Sequence, residues 1–179
     1  DLVAGIGDIL FNGAVGSNTA LRDIAIASAN NVTFSSTVDA ESIYQAAGTG
    51  TTLFSGDVNL TGLSDFLTGL YVSTNVITVN ANITTLNNGE VVLDNAGVLT
   101  LANGVAINSD GGFFQVGAGA VNTGANITTT ADDILFTAPV TLTGNVGLAS
   151  AGGDVAFQDT LTLTGGDINE MRKKLALPP

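Results

Sequence analysis

Residues 133–144 read DILFTAPVTLTG, and residues 154–165 read DVAFQDTLTLTG, a displacement of 21 positions. The same template recurs as TTLFSGDVNLTG at 51–62, and its first half as DILFNGAV at 8–15 and NVTFSSTV at 31–38. Repetition at a fixed period is the mark of a stacked architecture, because each unit is too small to bury its own apolar side and must lean on the next. Taking the bulky fourth residue of the template as an anchor selects Phe11, Phe34, Phe54, Phe136 and Phe157, and the interval between Phe54 and Phe136 is filled by Val72, Leu93 and Phe114. The spacings are 23, 20, 18, 21, 21, 22 and 21. Eight units of about 21 residues therefore fill the chain, with the eight anchors expected to form one internal stack.

Within a unit, apolar residues alternate with polar or small ones, the period of two that a half-buried strand shows. Ile9 and Phe11, Val32 and Phe34, Ile134 and Phe136, Val155 and Phe157 follow this rule, as do Val140 with Leu142 and Leu161 with Leu163. Gly112 and Phe114 are expected at the same inward positions. Third strands are expected at 82–85, 105–108 and 125–129. Three short strands per unit predict an all-β fold, a parallel β-helix in which each strand pairs with its equivalent one coil away, at about 4.8 Å. Coils of 18 to 23 residues without a hexapeptide repeat favour right-handed winding. Leucine-rich repeats are excluded by the missing LxxLxL pattern, and a sandwich has no reason to recur at one period. The pattern breaks at 63–68, LSDFLT, which reads as a short helical excursion or a loop.

The solenoid is expected over residues 1–166, with a separate segment at 167–179. There DINEMRKKLALPP changes composition: Asn169 suits a helix N-cap, Glu170 the first turn, and Arg172 to Lys174 the later part. A short helix over 170–177 would place Met171, Leu175 and Leu177 near one face, covering the last coil as repeat bodies require.

Composition narrows the partners. Sixteen acidic residues face four basic ones, a formal net charge of −12. Residues 1–169 hold 15 acids and only Arg22, or −14. Nucleic acid and anionic membranes both demand a cationic surface, so neither is expected as a partner. There is no Cys or His, which excludes disulfides and thiol or imidazole chemistry. No apolar run approaches the length of a membrane span. The first residue is Asp1, and no signal-like segment precedes the repeats, so a mature chain or a piece of a longer one is expected.

Candidate chemistry is sparse. The acid groupings are Asp132 with Asp133, Asp154 with Asp159, and Asp39 with Glu41. Glycoside cleavage needs two carboxyls at about 5 to 9.5 Å with one pKa raised, and these acids sit in solvated turns, so no enzyme is expected. Asp133 and Asp154 would lie one strand spacing apart, a repulsion that water or a cation must relieve. Calcium suits oxygen ligands, but Gly152 to Asp154 lacks the rest of a calcium-binding repeat, so a solvated acidic corner is favoured and no cofactor is expected. Tyr44, Phe66 and Tyr71 could line a groove for carbohydrate. Thr52, Thr78 and Thr141 do not fall into one rank, which argues against a flat ice-binding face. Four N-glycosylation patterns, at Asn31, Asn59, Asn82 and Asn126, are what chance gives in a chain so rich in Asn and Thr.

The stretches TALRDIAIASANNVTFSSTV and DILFTAPVTLTGNVGLASAGGDVAF resemble the degenerate repeats of large exported bacterial proteins of the filamentous haemagglutinin and autotransporter-passenger type. The likeness covers residues 1 to about 165 and rests on a strand grammar rich in Gly, Asn and Thr. It implies a secreted or cell-surface right-handed β-helix, a stalk, adhesive surface or filament, and carries over no functional residue. The expected partners are further copies joined end to end, or a host or matrix surface. A carbohydrate-binding module is the alternative, and a polysaccharide-cleaving enzyme a more distant one.

Overall fold

The computed structural model describes residues 1–62 and 69–164. All regular structure in this range is β, in 21 strands, and every pairing between them is parallel. The strands stack as a β-solenoid of about seven turns, with about 21 residues to each turn.

Three faces surround the core. The first face consists of Ile9–Phe11, Val32–Phe34, Thr51–Phe54, Val76–Val79, Leu99–Leu101, Val121–Thr123, Val140–Leu142 and Leu161–Leu163, eight rungs in unbroken register. The second runs from Val15, bridged to Val38, through Val58–Leu60, Ile83–Thr85, Ala106–Ser109 and Asn126–Thr129 to Leu148–Ala149. The third runs from Leu2–Val3 through Ile24–Ile26 and Ile43–Gln45 to Gly69–Thr74, Glu90–Asn95, Phe113–Gln115, Ile134–Phe136 and Val155–Phe157. In the upper coils Leu21–Ser28 and Val38–Gln45 are single eight-residue strands that bend from the second face onto the third.

Alternation decides which side chains enter. On the first face Val32, Ile77, Leu99 and Val121 make one buried column, and Phe34, Phe54, Val79 and Leu101 the other. On the second, Val58, Ile83, Ile107 and Ile127 stack. On the third, Leu70, Val91, Phe113 and Ile134 form the first column and Val72, Leu93, Gln115 and Phe136 the second. Placing like on like removes apolar area from water at every rung, at about 25 cal/mol per Å².

The expected strands at 82–85, 105–108 and 125–129 lie on the second face as Ile83–Thr85, Ala106–Ser109 and Asn126–Thr129. The 21-residue repeat also holds: Ile134, Leu135 and Phe136 pair with Val155, Ala156 and Phe157, and Val140 to Leu142 with Leu161 to Leu163.

The single stack of eight anchors does not hold. Phe11, Phe34 and Phe54 lie on the first face and continue into Val79. Val72, Leu93, Phe136 and Phe157 lie on the third. The template TTLFSGDVNLTG thus occupies the first and second faces, and DILFTAPVTLTG the third and first. Every corner asks for the same thing, an apolar pair, a turn and another apolar pair, so the sequence can move on by one face without changing its grammar.

Phe114 is the other correction. Its neighbours in register are Val92 and Leu135, both pointing outward, while Phe113 and Gln115 are fully buried. The inward pair of this rung is Phe113 with Gln115, and Gly112 lies outside it, beneath the Phe114 ring. The expected helix over 170–177, with Asn169, Met171, Leu175 and Leu177, and the excursion at 63–68 with Phe66, lie outside the described residues.

Candidate functional surface

Aromatic rings tie consecutive rungs together. Phe11 stacks on Phe34 at 4.5 Å between centroids and Phe34 on Phe54 at 5.1 Å, each pair within a few degrees of parallel. Phe136 stacks on Phe157 at 5.2 Å, and Phe113 meets Phe136 tilted at 5.4 Å. These are structural ladders inside the body.

Several polar side chains that point inward lie beside corners, where turn carbonyls need donors. Between the third and first faces, Gln115 Nε2 donates to Asn95 Oδ1 (2.9 Å) and to the Gly117 carbonyl (2.6 Å). Gln115 Oε1 accepts from the backbone N–H groups of Thr137 (3.1 Å) and Ala138 (3.2 Å). Asn95 Nδ2 donates to the carbonyls of Gly97 and Gly119. Between the second and third faces, Thr85 and Ser109 hydroxyls donate to the Gly89 carbonyl. Sequence reading missed both groups, because Asn, Gln and Thr read as solvated turn residues; the available signal was a polar residue at an inward phase of the alternation.

Corner carboxylates have a related job. Asp133 Oδ1 accepts the backbone N–H of Asp154, one rung on, at 2.8 Å. The feared repulsion is therefore relieved by a hydrogen bond from the main chain. Asp8 accepts from the backbone and side chain of Asn31 and from Asn30, and those bonds hold its carboxyl below the usual range. The Asn88 N–H and the Thr130 hydroxyl do the same for Asp110. Hydrogen bonds to the ionised form favour it, the opposite of what a general acid requires. Of the other acids, Asp39 accepts from Asn59, Glu41 pairs with Arg22 at 3.6 Å, and Asp159 caps its own neighbour Thr160. Asp132 engages the Thr129 hydroxyl through its carbonyl. Among the described residues no three acidic side chains gather as a metal site would require.

The outward columns differ between faces. The first presents Thr33, Leu53, Thr78, Thr100, Asn122, Thr141 and Thr162 below Leu10. Thr78 and Thr141 share a rank but Thr52 is buried, so the three do not form one face, as expected; the rank is one residue wide and is interrupted at Leu53 and Asn122. The second presents Asp39, Asn59, Thr84, Asn108 and Thr128. The third presents Ala25, Tyr44, Tyr71, Val92, Phe114, Leu135 and Ala156, all half-buried. Tyr44 and Tyr71 occupy adjoining rungs with centroids 5.0 Å apart. Partial burial, then the Asp94 charge and Tyr44, push the Tyr71 phenol up. Stacked in this way each ring covers one face of the other.

The first and last described coils expose apolar side chains. At the start, Ile6 is 95% and Val3 72% exposed, with Leu10 and Leu2 also open; at the far end Val155 and Leu161 are exposed. Among the described residues no helix is long and apolar enough to cross a membrane. No family model, no curated protein and no solved structure matches the chain.

Proposed function

We propose that the chain is the right-handed rod of an exported bacterial protein of the filamentous haemagglutinin and autotransporter-passenger type. Its role is structural and adhesive, outside the cell, and rods join end to end. The carrying observation is that the columns run out to both ends. Ile9 and Phe11 at the top of the first face and Leu161 and Leu163 at its foot belong to the same two columns. On the third face Leu2 opens the stack and Val155 with Phe157 closes it. A second copy set end-on would continue each column with an apolar side chain and supply partners for strand edges that have none among the described residues. Such a contact is head-to-tail and does not close, so it propagates.

Right-handed winding is supported by the strong preference of parallel crossovers for that hand. A non-catalytic role is supported by the carboxylates, whose bonds stabilise the charged form. Carbohydrate recognition through Tyr44 and Tyr71 has less support, since sugar rings stack on aromatic faces and one face of each ring is taken up by the other. Sedimentation and negative-stain microscopy over a range of concentrations test the proposal. Rods that lengthen with concentration, and that stay single when Leu161→Asp and Leu10→Asp are introduced, support it. A strictly monomeric chain at high concentration sinks it.

A further inference from the structure

The third face breaks the rule that the other two obey. A sheet with one side in water alternates apolar with polar, whereas strands covered on both sides read as near-continuous apolar runs. The first and second faces alternate, with Thr and Asn outward. The third reads LYV at 70–72, VVL at 91–93, FF at 113–114 and ILF at 134–136. From Tyr44 to Ala156 its outward column is aromatic or aliphatic over six consecutive rungs, about 24 Å at the parallel strand spacing. Val116, two residues on from Phe114 and 45% exposed, widens the stripe there. Apolar surface concentrated in this way marks a contact site.

Spacing selects a helix as the occupant. The stripe runs along the rod, across the strands, and offers one apolar side chain about every 4.8 Å. The apolar seam of an amphipathic helix repeats about every 3.5 residues, or about 5.3 Å at 1.5 Å per residue. A helix laid along the rod therefore meets each rung in turn, drifting by only about 2 Å over the whole stripe. An extended segment fits less well, because its side chains recur on one side about every 6.6 Å and the alternate ones point away from the rod.

Charge selects the flank of that helix. Two residues before the stripe, on their own strands, stand Glu90, Asp133 and Asp154, all exposed, and two residues after it stands Asp94. No Lys or Arg occurs between Arg22 and Arg172. A second copy would bring the same acids and set a formal charge of −12 against −12. At one point a carboxylate stem and an aromatic ring also converge. The successive glycines Gly111 and Gly112 leave the room: a Cβ on Gly111 would come within 3.0 Å of Glu90 Cγ, and one on Gly112 within 2.3 Å of the Phe114 ring. Carboxylate and ring each attract a cationic side chain.

We propose that the third face docks a basic amphipathic α-helix of another protein. The helix lies along the rod with its apolar seam on Tyr71, Val92, Phe114 and Leu135, and its Lys or Arg flank on Glu90, Asp133 and Asp154. The contact depends only on the register of the third face and stands apart from end-to-end assembly.

A peptide of about 16 residues, long enough to span the stripe, with Leu at the seam positions and Lys elsewhere, is the probe for the full chain. Both tyrosines of the protein lie on this face and there is no Trp, so tyrosine emission reports on this face alone. Titrating in the peptide should raise the helical circular dichroism, shield tyrosine emission from acrylamide and saturate at a single peptide per chain. Phe114→Thr with Leu135→Thr should weaken binding by about tenfold. Glu90→Gln with Asp154→Asn, which leaves every buried side chain in place, should weaken it comparably. Asp39→Asn with Asp57→Asn, on the second face, should leave it unchanged. A Ser and Lys peptide that binds as tightly, equal weakening by the second-face pair, tyrosines still open at saturation, or no binding would each overturn the proposal. So would rod dimers in sedimentation that Phe114→Thr with Leu135→Thr abolishes, because the occupant would then be a second copy.

Discussion

Gln115→Leu and Phe114→Thr together test which residue of the sixth rung faces inward. Gln115 is fully buried and makes four side-chain hydrogen bonds. Leucine fills a similar volume but bonds to nothing. The Thr137 N–H keeps its bond to the Gln115 carbonyl, and the Gly117 carbonyl keeps the Thr137 hydroxyl. Asn95 Oδ1 and the Ala138 N–H lose their only partners among the bonds this corner makes. Each buried orphan costs about 1–3 kcal/mol, and the added apolar burial returns about 1 kcal/mol, leaving a net loss of about 3 kcal/mol. For a chain of this size that lowers Tm by roughly 6–12 °C. Phe114→Thr removes an outward, half-buried ring and substitutes a good strand former, for about 1 kcal/mol or less. Urea unfolding followed by far-ultraviolet circular dichroism, at matched m-values, measures both. The reasoning is refuted if Gln115→Leu matches or exceeds the parent while Phe114→Thr loses several kcal/mol, the order expected had Phe114 been internal.

Phe34 is sandwiched between two rings and Phe11 touches one, so Phe34→Ala should cost about 4 kcal/mol and Phe11→Ala about half that in the same urea experiment. A methyl on Gly119 would run into the Gly97 carbonyl oxygen, whereas Gly13 has open space around it; Gly119→Ala should destabilise by about 2 kcal/mol and Gly13→Ala should be neutral in thermal unfolding. Hydrogen bonds to their ionised form hold the Asp8 and Asp110 carboxyls below the ordinary aspartate value in the folded chain. The stability they contribute is therefore present above that value and is lost as pH falls through the folded pKa. Carboxyl titration by NMR should show both midpoints below those of the same residues in the unfolded chain, and midpoints at or above them would contradict the bonding described.

How far the sequence discloses this fold depends on what is asked of it. The strand period and the coil length were readable from DILFTAPVTLTG and its copy, because stacking like on like forces the same residue types to recur. Face identity was not. Val72 and Phe54 answer to the same template, yet one pairs with Leu93 on the third face and the other with Val79 on the first. At Phe113–Phe114 two aromatics in succession satisfy either phase, and only Gln115, a polar residue that reads as exposed, marks the true one. The acids misled for a different reason. Asp133 and Asp154 look like a charge problem in one dimension, and the N–H that solves it belongs to the neighbouring rung. The outward stripe was half visible: Tyr44 and Tyr71 stood out as aromatics, but their alignment with Val92, Phe114 and Leu135 depends on register that spacing alone does not give.

The central claim is that the chain advances one strand spacing per turn along three separate faces, and spin-label distances on the first face test it most directly. Thr33, Thr78 and Thr162 share its outward column, with six rung steps from Thr33 to Thr162 and four from Thr78 to Thr162. The cysteine-free chain accepts labels at these positions cleanly. Pulsed electron paramagnetic resonance should give backbone separations near 29 Å and 19 Å, about 4.8 Å per step. Separations that do not scale with the number of rungs would contradict the solenoid and everything built upon it.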